Sequence, residues 1–345
     1  MNIKSLLLGS AAALVAVSGA RAADAVVAAE PEPVEYVRIC DAYGAGFFYI
    51  PGTETCLKVG GYLRAEIHAG DDAYTGAERD TYDWRARAVT RFDARSETEL
   101  GTLRSFAELR YNFNNGADKE TVDLNQATIE LGGFRVGAAD SQFTSWTGYL
   151  GSGIISDDVI AEGSYVTNQI SYTYSADNGF SAFIGAEQGK GTYLIDDYVP
   201  HILGGAKFKQ SWGSISGVVG YDSKAEEWAG KARLDVTLTD SVSAWVMGGY
   251  KSNNRKDFYG TWNGDYVVWG GIAAKVTDKA TVNAQVGYED EGTIAAALNV
   301  AYTLVPGFVI TPELNYTKFD DARQARTPGA KDDAFQGIVR FQRNF

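Results

Sequence analysis

The chain has 345 residues, and its 44 Asp and Glu residues outnumber its 31 Lys and Arg residues, giving a formal net charge of −13 at pH 7. Because so acidic a protein repels polyanions and no basic tail offsets the charge, we do not expect a nucleic acid partner. The 39 glycines and 20 tyrosines, with only two methionines, are typical of a β-protein rich in turns.

The start of the chain has the pattern of a secretory signal peptide. A short basic stretch precedes an apolar run over residues 6–17, and Ala20 and Ala22 stand in the A-x-A relation of a cleavage site. The run is shorter than the ~20 apolar residues that a transmembrane helix needs. We therefore predict that residues 1–22 are removed and that the mature protein is exported.

Residues 23–56 are predicted to form an N-terminal segment that holds both cysteines, Cys40 and Cys56. In the oxidising compartment of an exported protein we expect these thiols to form a disulfide, worth about 3 kcal/mol in the loop-closure treatment. A metal or redox pair would need another spacing and histidine partners. We therefore predict a Cys40–Cys56 disulfide and no metal or cofactor, and we assign no role to residues 23–39.

From residue 57 onward, apolar and polar residues alternate with the period of two that marks a strand with one apolar and one polar face. Residues 83–96 illustrate the pattern, since Trp84, Ala88 and Phe92 share one parity and the arginines share the other. About sixteen segments follow it, near 57–69, 82–95, 102–113, 121–131, 133–139, 165–175, 178–187, 201–210, 213–222, 228–239, 241–252, 264–276, 279–289, 293–303, 307–318 and 334–345.

The connections between these segments differ in length. Short ones lie at 132–133, 175–179, 239–241, 277–279 and 305–307, and long ones at 70–81, 140–164, 188–200, 253–263 and 319–333. Tight turns at one end, long loops at the other and an even strand count describe an up-and-down barrel. No linker interrupts the sequence, so we predict one all-β domain over residues 57–345, a 16-stranded antiparallel transmembrane barrel.

The apolar faces of the segments place small and aliphatic residues in the middle and aromatic residues near the ends. The aromatic residues are Trp84, Tyr111, Phe113, Tyr172, Tyr174, Tyr221, Tyr250, Tyr288, Tyr302 and Tyr316. Aromatic girdles around an aliphatic band are typical of a barrel whose apolar face meets lipid. In the alternative, a soluble barrel or sandwich, the apolar face is buried and these rings are ordinary strand formers.

The last segment, FQGIVRFQRNF, is amphipathic and ends on an aromatic residue. With Phe341 and Phe345 on one parity, it resembles the signal that outer-membrane barrels present to their assembly machinery. Arg343 departs from the apolar or aromatic residue that is usual at its position, but a long arginine near the interface extends its charged group to water.

Two stretches carry a resemblance to a known family. CDAYGAGFFYIPGTETCLKVGGYLR, at 40–64, and the terminal RFQRNF resemble the alphaproteobacterial porins. The resemblance implies a homotrimer of sixteen-stranded barrels in the outer membrane, passive diffusion of small hydrophilic solutes, and a third loop folded into the lumen. The implied partners are outer-membrane lipid and lipopolysaccharide, the barrel assembly machinery, and the solutes themselves.

A pore acts through its walls and their charge, so the candidate site is a constriction. The long connection over residues 140–164, where the resemblance places the constriction loop, carries no Lys or Arg and four acids, Asp140, Asp157, Asp158 and Glu162. The polar faces of the first three strands and the last supply a basic wall, Arg64, Arg87, Arg91, Arg110 and Arg340. Opposed charges would place a transverse field across an aqueous channel. In the alternative, these charges are ion pairs inside a plugged barrel.

Three other functions remain alternatives to an open pore. An oligosaccharide-selective channel would need a continuous aromatic surface along the wall; Trp146 and Tyr149 could begin one, although anchoring a loop is the commoner use of such rings. A closed barrel would act in adhesion or surface structure through its loops. An enzyme is disfavoured, because His68 and His201 are the only histidines and neither a G-x-S-x-G elbow nor a P-loop occurs.

Overall fold

The computed structural model describes residues 37–116, 120–151, 153–325 and 329–345. The predicted signal peptide, residues 1–22, lies outside the described residues, as do residues 23–36. Backbone packing divides the chain into two units, Met1–Arg38 and Ile39–Phe345. Every element named below belongs to the second unit.

The described residues contain seventeen strands, two short α-helices and two 3-10 turns. The strands are β1 (Phe48–Tyr49), β2 (Cys56–Gly70), β3 (Asp83–Thr98), β4 (Gly101–Asn114), β5 (Thr121–Leu131), β6 (Phe134–Asp140), β7 (Val166–Ser175), β8 (Phe180–Glu187), β9 (His201–Gln210), β10 (Gly213–Asp222), β11 (Glu227–Thr239), β12 (Val242–Lys251), β13 (Tyr266–Lys275), β14 (Ala280–Glu289), β15 (Ile294–Val305), β16 (Phe308–Lys318) and β17 (Asp333–Asn344). The helices are α1 (Gln142–Ser145) and α2 (Asp321–Gln324), and the 3-10 turns are Asp41–Tyr43 and Gly191–Tyr193.

Strands β2 to β17 form a closed antiparallel ring. Each strand pairs with the next, and β17 closes onto β2 with Gln336 opposite Gly70 and Asn344 opposite Tyr62. The described residues thus confirm the predicted all-β, 16-stranded antiparallel barrel. Strand β1 is an addition that the alternation did not predict, and it pairs with the first two residues of β2.

Tight turns join the strands at one end of the barrel, and the long loops lie at the other. Glycines in the left-handed region make several turns possible, such as Gly132 at a φ of 58° and Gly179 at 88°, because a side chain there would be strained. The turn at 132–133 joins β5 to β6, and the one at 176–179 joins β7 to β8. The connection that follows β6, residues 141–165, is the longest and is called the L3 loop below.

The barrel is apolar outside and polar inside. The ten aromatic residues predicted to form the girdles are all between 37% and 55% exposed. Polar residues of the opposite parity are buried instead, among them Glu66, Glu108 and Gln336. This inversion of a soluble barrel is what a lipid-facing wall requires. No helix in the described part of the chain has the length and apolarity needed to cross a membrane.

The predicted disulfide joins Cys40 to Cys56, with 6.0 Å between their Cα atoms. Both cysteines are buried with Phe47, and β2 begins at Cys56, so the bond lies at the turn end of the barrel. The guanidinium carbon of Arg95 lies 5.1 Å from the centre of the Phe47 ring. Lys58 Nζ donates a hydrogen bond to Ala45 O at 3.0 Å. These contacts hold the disulfide-bonded segment between Cys40 and Cys56 against the inward side chains of β2 and β3.

An apolar core lies inside the barrel, along the wall formed by β8 to β13. It contains inward side chains of these strands together with rings and aliphatic groups from two loops. Its members are Phe143, Leu150, Ile160, Phe183, Leu203, Val218, Ala229, Met247, Phe258, Tyr259, Trp262, Val267 and Trp269. This part of the lumen is therefore filled with protein, and water-accessible space remains along the opposite wall.

Candidate functional site

The five arginines of the predicted basic wall project inward from β2, β3, β4 and β17. Arg64, Arg87, Arg91, Arg110 and Arg340 all line one cavity of about 1030 Å³. Successive side chains of a strand point to opposite faces. Each of these arginines has the parity opposite to that of the exposed apolar residues of its strand, so it points inward. The structure thus brings all five together.

Carboxylates and amides between these arginines fix the guanidinium groups. Arg340 Nε donates to Glu66 Oε1 at 2.6 Å, and Arg91 Nε donates to Glu108 Oε2 at 2.5 Å. Arg87 differs, because its Nε donates to the neutral amide oxygen of Asn112 at 2.6 Å. Among the described residues Arg87 forms no ion pair, so its charge faces the cavity without a carboxylate partner.

Arg64 stands directly opposite Arg87 in the register of β2 and β3. Its Nε donates to the Gln342 amide oxygen at 3.0 Å, and its nearest carboxylate, Glu66, is 3.7 Å away. Two like charges therefore lie side by side with neutral hydrogen-bond partners. Such an arrangement is unfavourable within a sheet and concentrates positive potential at this height of the wall.

The L3 loop enters the lumen through a capped helix. Ser141 is the N-cap of α1, and its Oγ accepts a hydrogen bond from Phe143 N. Glu187, buried on β8, accepts from Ser141 Oγ at 2.8 Å and from the backbone N of Gln142 at 2.9 Å. Trp146 then packs on Phe183 with ring centres 4.5 Å apart. The first turn of the loop is thereby held to β8, and Trp146 acts as an anchor against the wall.

Polar side chains of the far wall bind the backbone of the L3 loop at several described residues between 149 and 162. On the outward run, Arg233 donates to Tyr149 O at 2.7 Å and Asn299 donates to Gly153 O at 2.6 Å. Glu313 accepts from Ile155 N at 2.6 Å and from Ser156 N at 2.9 Å. On the return, Gln285 donates to Asp157 O at 2.7 Å, Trp269 to Ile160 O at 3.0 Å and Lys231 to Glu162 O at 2.6 Å. The loop is therefore fixed across the interior from β8 to β16 and back.

Three of the four predicted loop acids face the arginines. Asp140, the last residue of β6, and Asp157 and Asp158 line the same cavity as the basic wall. Tyr149 Oη donates to Asp140 Oδ2 at 2.6 Å, and Tyr74 Oη donates to Asp158 Oδ1 at 2.7 Å. The three carboxylates are called the acidic face below.

Asp157 is the most perturbed member of the acidic face. Burial raises its pKa to about 8, and the neighbouring charge of Asp158 contributes in the same direction. At neutral pH the Asp157 carboxyl group is therefore mostly protonated. The charge of the acidic face depends on pH in a range where an ordinary aspartate does not titrate.

The structure does not bring Glu162 to the cavity. Its side chain is 1% exposed, on the far side of the L3 loop, where Lys231 binds its backbone oxygen. Burial raises the pKa of the Glu162 carboxyl group, and the charge of Lys231 opposes that shift. Glu162 thus belongs to the anchoring of the loop. No pattern in the sequence predicts this, because a loop lacks the alternation that assigns strand residues to an inner or an outer face.

A second loop also folds inward, residues 252–265, and the alternation in the sequence did not predict it; it is called the L6 loop below. Its residues Phe258, Tyr259 and Trp262 are 0% exposed and belong to the apolar core inside the barrel. The sequence feature that accompanies this loop is a set of glycines at inward positions of the neighbouring strands, where any side chain would meet the rings of the loop. A Cβ at Gly220 would lie 2.6 Å from the Tyr259 ring, and one at Gly249 would lie 3.0 Å from the Trp262 ring.

Arg95 on β3 and Arg104 on β4 lie near the turn end of the lumen. Both donate to the Asp93 carboxylate, at 2.7 and 3.0 Å from their Nη2 atoms. Arg104 also pairs with Glu130 at 3.1 Å, and Arg135 pairs with the other oxygen of Glu130 at 2.9 Å. These residues form an ion-pair network on the inner wall, so their charges are largely balanced.

The two histidines have structural surroundings. His201 is fully buried, with Nε2 2.8 Å from Tyr193 O and Nδ1 accepting from Ser223 N at 3.1 Å. His68 lies 3.1 Å from Glu66 Oε2. No group of three or more His, Cys, Asp or Glu residues that could hold a metal ion occurs in the described part of the chain.

Comparison with known proteins decides the family. Residues 24–338 match the porin subfamily. The chain is 55% identical to Porin Omp2b of Brucella canis over 365 aligned positions, with all of both chains covered, and 54% identical to Porin Omp2b of Brucella suis biovar 1 with the same coverage.

The chain belongs to the porin family. It is an outer-membrane porin, a channel protein and not an enzyme, and its polypeptide crosses the membrane repeatedly as a β-barrel. The predicted resemblance to the alphaproteobacterial porins is confirmed, since both of these relatives are porins of Brucella.

Solved structures agree with this porin in fold. The outer membrane channel DcaP of Acinetobacter baumannii superposes with a TM-score of 0.67 at 15% identity, covering 86% of this chain and 99% of that one. A mutant of the porin from Rh. blastica superposes with a TM-score of 0.61 at 16% identity, covering 84% of this chain and 100% of that one. At such low identity the likeness concerns the barrel architecture.

Proposed function

We propose that small hydrophilic solutes and ions diffuse passively through the cavity between the basic wall and the acidic face, and that these two surfaces form the constriction of the porin. The observation that carries the proposal is that five arginines from four strands and three carboxylates at the L3 loop line one cavity. Filling of the β8–β13 side by the L3 and L6 loops directs the water path to this charged space.

The two charged surfaces account for a preference for polar solutes. Opposite charges across a narrow aqueous gap produce a transverse electric field, in which a polar molecule can orient. An apolar molecule loses hydration there without replacement. The residues lining the cavity include seven Arg and Lys and six Asp and Glu. The excess of acidic over basic residues in the whole chain is therefore not found at the cavity.

Reconstitution of the purified porin into planar lipid bilayers tests the open channel. Stable, ohmic conductance steps are the expected result. Saturable block of the current by sugars would instead indicate an oligosaccharide-selective channel, and an absence of conductance from a folded barrel would indicate a closed surface protein. Either of the last two results would overturn the proposal.

Neutralising the basic wall tests the constriction itself. The double variant Arg87→Gln, Arg91→Gln is expected to shift the reversal potential in a salt gradient toward greater cation preference, because two positive charges leave the cavity surface. The measurement needs low salt, since at 1 M the screening length is about 3 Å. Arg255→Gln, an exposed position on the L6 loop, is the matched control and should leave selectivity unchanged. Equal selectivity of the double variant and the wild type at low salt would place the constriction elsewhere.

Assembly is the remaining part of the proposal. We propose that residues 1–22 are removed, that residues 23–56 precede a barrel domain over 57–345, and that the assembly machinery recognises Phe341 and Phe345 and inserts the barrel beside lipopolysaccharide. Membership in the porin family supports a homotrimer. Crosslinking in mild detergent should give a trimer band, and a monomer band alone would contradict the homotrimer.

A further inference from the structure

The L6 loop has a buried lysine at its base. Lys251, the last residue of β12, is 0% exposed. Its Nζ donates hydrogen bonds to three backbone oxygens of the L6 loop, Arg255 O at 2.5 Å, Gly260 O at 3.2 Å and Trp262 O at 2.8 Å. An ammonium group has three protons to donate, so all of them are used within one loop. Lys251 thus determines the conformation of the segment that carries the buried rings.

A second side chain completes the turn that Lys251 holds. Asp257 Oδ1 accepts hydrogen bonds from Tyr259 N at 2.9 Å and Gly260 N at 2.6 Å. Asp222 on β10 accepts from Phe258 N at 2.8 Å. The backbone of residues 257–260 is therefore fixed from both sides, and the Phe258 and Tyr259 rings have one position in the lumen.

The L6 loop in turn supports both ends of the L3 loop. At the start of the L3 loop, the Phe143 ring packs on Tyr259 with centres 5.0 Å apart. At its end, Ser164 Oγ donates to Phe258 O at 2.6 Å. Because the two ends of the L3 loop rest on the L6 loop, a displacement of the L6 loop withdraws one of the supports that hold the L3 loop, with Asp157 and Asp158, in place.

From these contacts we propose that Lys251 is a positioning residue of the channel, which sets the width of the constriction through the L6 loop without touching a solute. Residues 258–262 act as a fixed support that keeps the L3 loop at its distance from the basic wall. The inference rests on the proposed function, because it assumes that the cavity beside the L3 loop is the conducting path.

Single-channel recording of Lys251→Met tests the inference. The substitution keeps an unbranched side chain of similar length but removes all three hydrogen bonds, so the L6 loop loses its fixed conformation. We expect larger conductance steps with more current fluctuations than in the wild type, from a protein that still migrates as a folded barrel on unheated gels. Lys275→Met, at an exposed position near a turn, is the matched control and should conduct as the wild type does.

A second variant keeps the inference testable if Lys251→Met does not fold. Ser164→Ala removes only the hydrogen bond between the L3 and L6 loops, and should give the same change in the same direction with smaller size. If the wild type conducts and a folded Lys251→Met or, failing that, Ser164→Ala conducts identically, the inference is wrong while the channel function stands. If the wild type does not conduct, the proposed function itself fails.

Discussion

Single residues in the lumen have their chemistry set by what surrounds them. Arg87 and Arg91 are four residues apart on β3, yet Arg91 is paired with a buried carboxylate at 2.5 Å and Arg87 with an amide at 2.6 Å. Asp157 and Asp158 are adjacent in the chain, yet two tyrosine hydroxyl groups lie at 2.7 and 3.4 Å from the Asp158 oxygens. The burial of Asp157 raises its pKa to about 8.

The pKa of Asp157 predicts a pH-dependent selectivity. Below about pH 8 the carboxyl group is mostly neutral, and above that value it adds a negative charge to the acidic face. The reversal potential in a salt gradient should therefore shift toward cation preference between pH 7 and pH 9, and Asp157→Asn should remove most of the shift. Asp177→Asn, at an exposed turn, is the control. An undiminished shift in Asp157→Asn would assign the titration to another group.

The same group has a consequence for stability. Because the folded-state pKa lies above that of an unfolded aspartate, the folded protein binds a proton that the unfolded chain releases. The contribution of Asp157 to the free energy of unfolding is therefore lost as the pH rises from about 4, the ordinary value, to about 8.

At the scale of elements, strand and loop sequences are matched to each other. Inward glycines of β10 and β12 lie where rings of the L6 loop need room, whereas the outward glycine of β12, Gly248, faces no such ring. A Cβ at Gly248, which points outward, would have its nearest neighbour at 3.9 Å. The barrel wall is thus shaped for the loops that it encloses.

Gly220→Ala tests this match. Its Cβ would lie 2.6 Å from the ring of Tyr259, which is fully buried and has no free space to enter. We expect a loss of about 1–3 kcal/mol in the free energy of unfolding, the usual cost of overpacking. Gly248→Ala, the matched outward position, should change it by less than about 0.5 kcal/mol. Guanidinium titration in detergent micelles measures both, and equal midpoints would show that the ring can move.

The end of the chain, β17 and the terminal Phe345, is predicted to direct assembly of the barrel. The Phe345 ring is 62% exposed, and its backbone pairs with Gly61 through two hydrogen bonds of 3.0 and 3.2 Å that any residue can form. Phe345→Ser should therefore lower the amount of folded porin in the outer membrane and leave the stability of refolded protein nearly unchanged. Phe335→Ser, at the other end of the strand and 58% exposed, is the control. Equal yields of the two variants would exclude a role for the terminal ring.

The whole molecule is a barrel with a lipid-facing band and a lumen divided in two. One part of the interior is an apolar core built by the L3 and L6 loops on β8 to β13. The other part is the charged cavity along β2 to β6 and β17. This division gives a sixteen-stranded barrel both an interior that stabilises it and a path for water.

Arginine substitutions on the outer wall locate the membrane. Leu298, 51% exposed in the middle of β15, should cost about 2–4 kcal/mol when changed to Arg, as for a charge near the bilayer midplane. Leu304, 42% exposed near the turn end of the same strand, should cost only about 0–1 kcal/mol. Unfolding from lipid vesicles gives both values. Similar costs at both positions would contradict the assigned depth.

The sequence by itself determined the strands, their number and their faces. Alternation with a period of two is a local property, and a lipid-facing strand must keep it along its length, so the pattern around Arg87 was sufficient to assign inside and outside. The disulfide followed from two cysteines in an exported chain. The inward position of the five arginines followed from their parity.

Only the tertiary structure decided how the loops use the lumen. A loop has no periodicity, and its position depends on which wall groups can bind its backbone and which wall positions lack side chains. Glu162 is buried beside Lys231, and Asp157 lines the charged cavity, because anchors on β11 and β14 orient the L3 loop. The L6 loop enters because Lys251 donates hydrogen bonds to its backbone and two inward glycines, Gly220 and Gly249, leave room for its rings. Such contacts depend on how strands and loops pack, and the period-two pattern of the strands does not encode them.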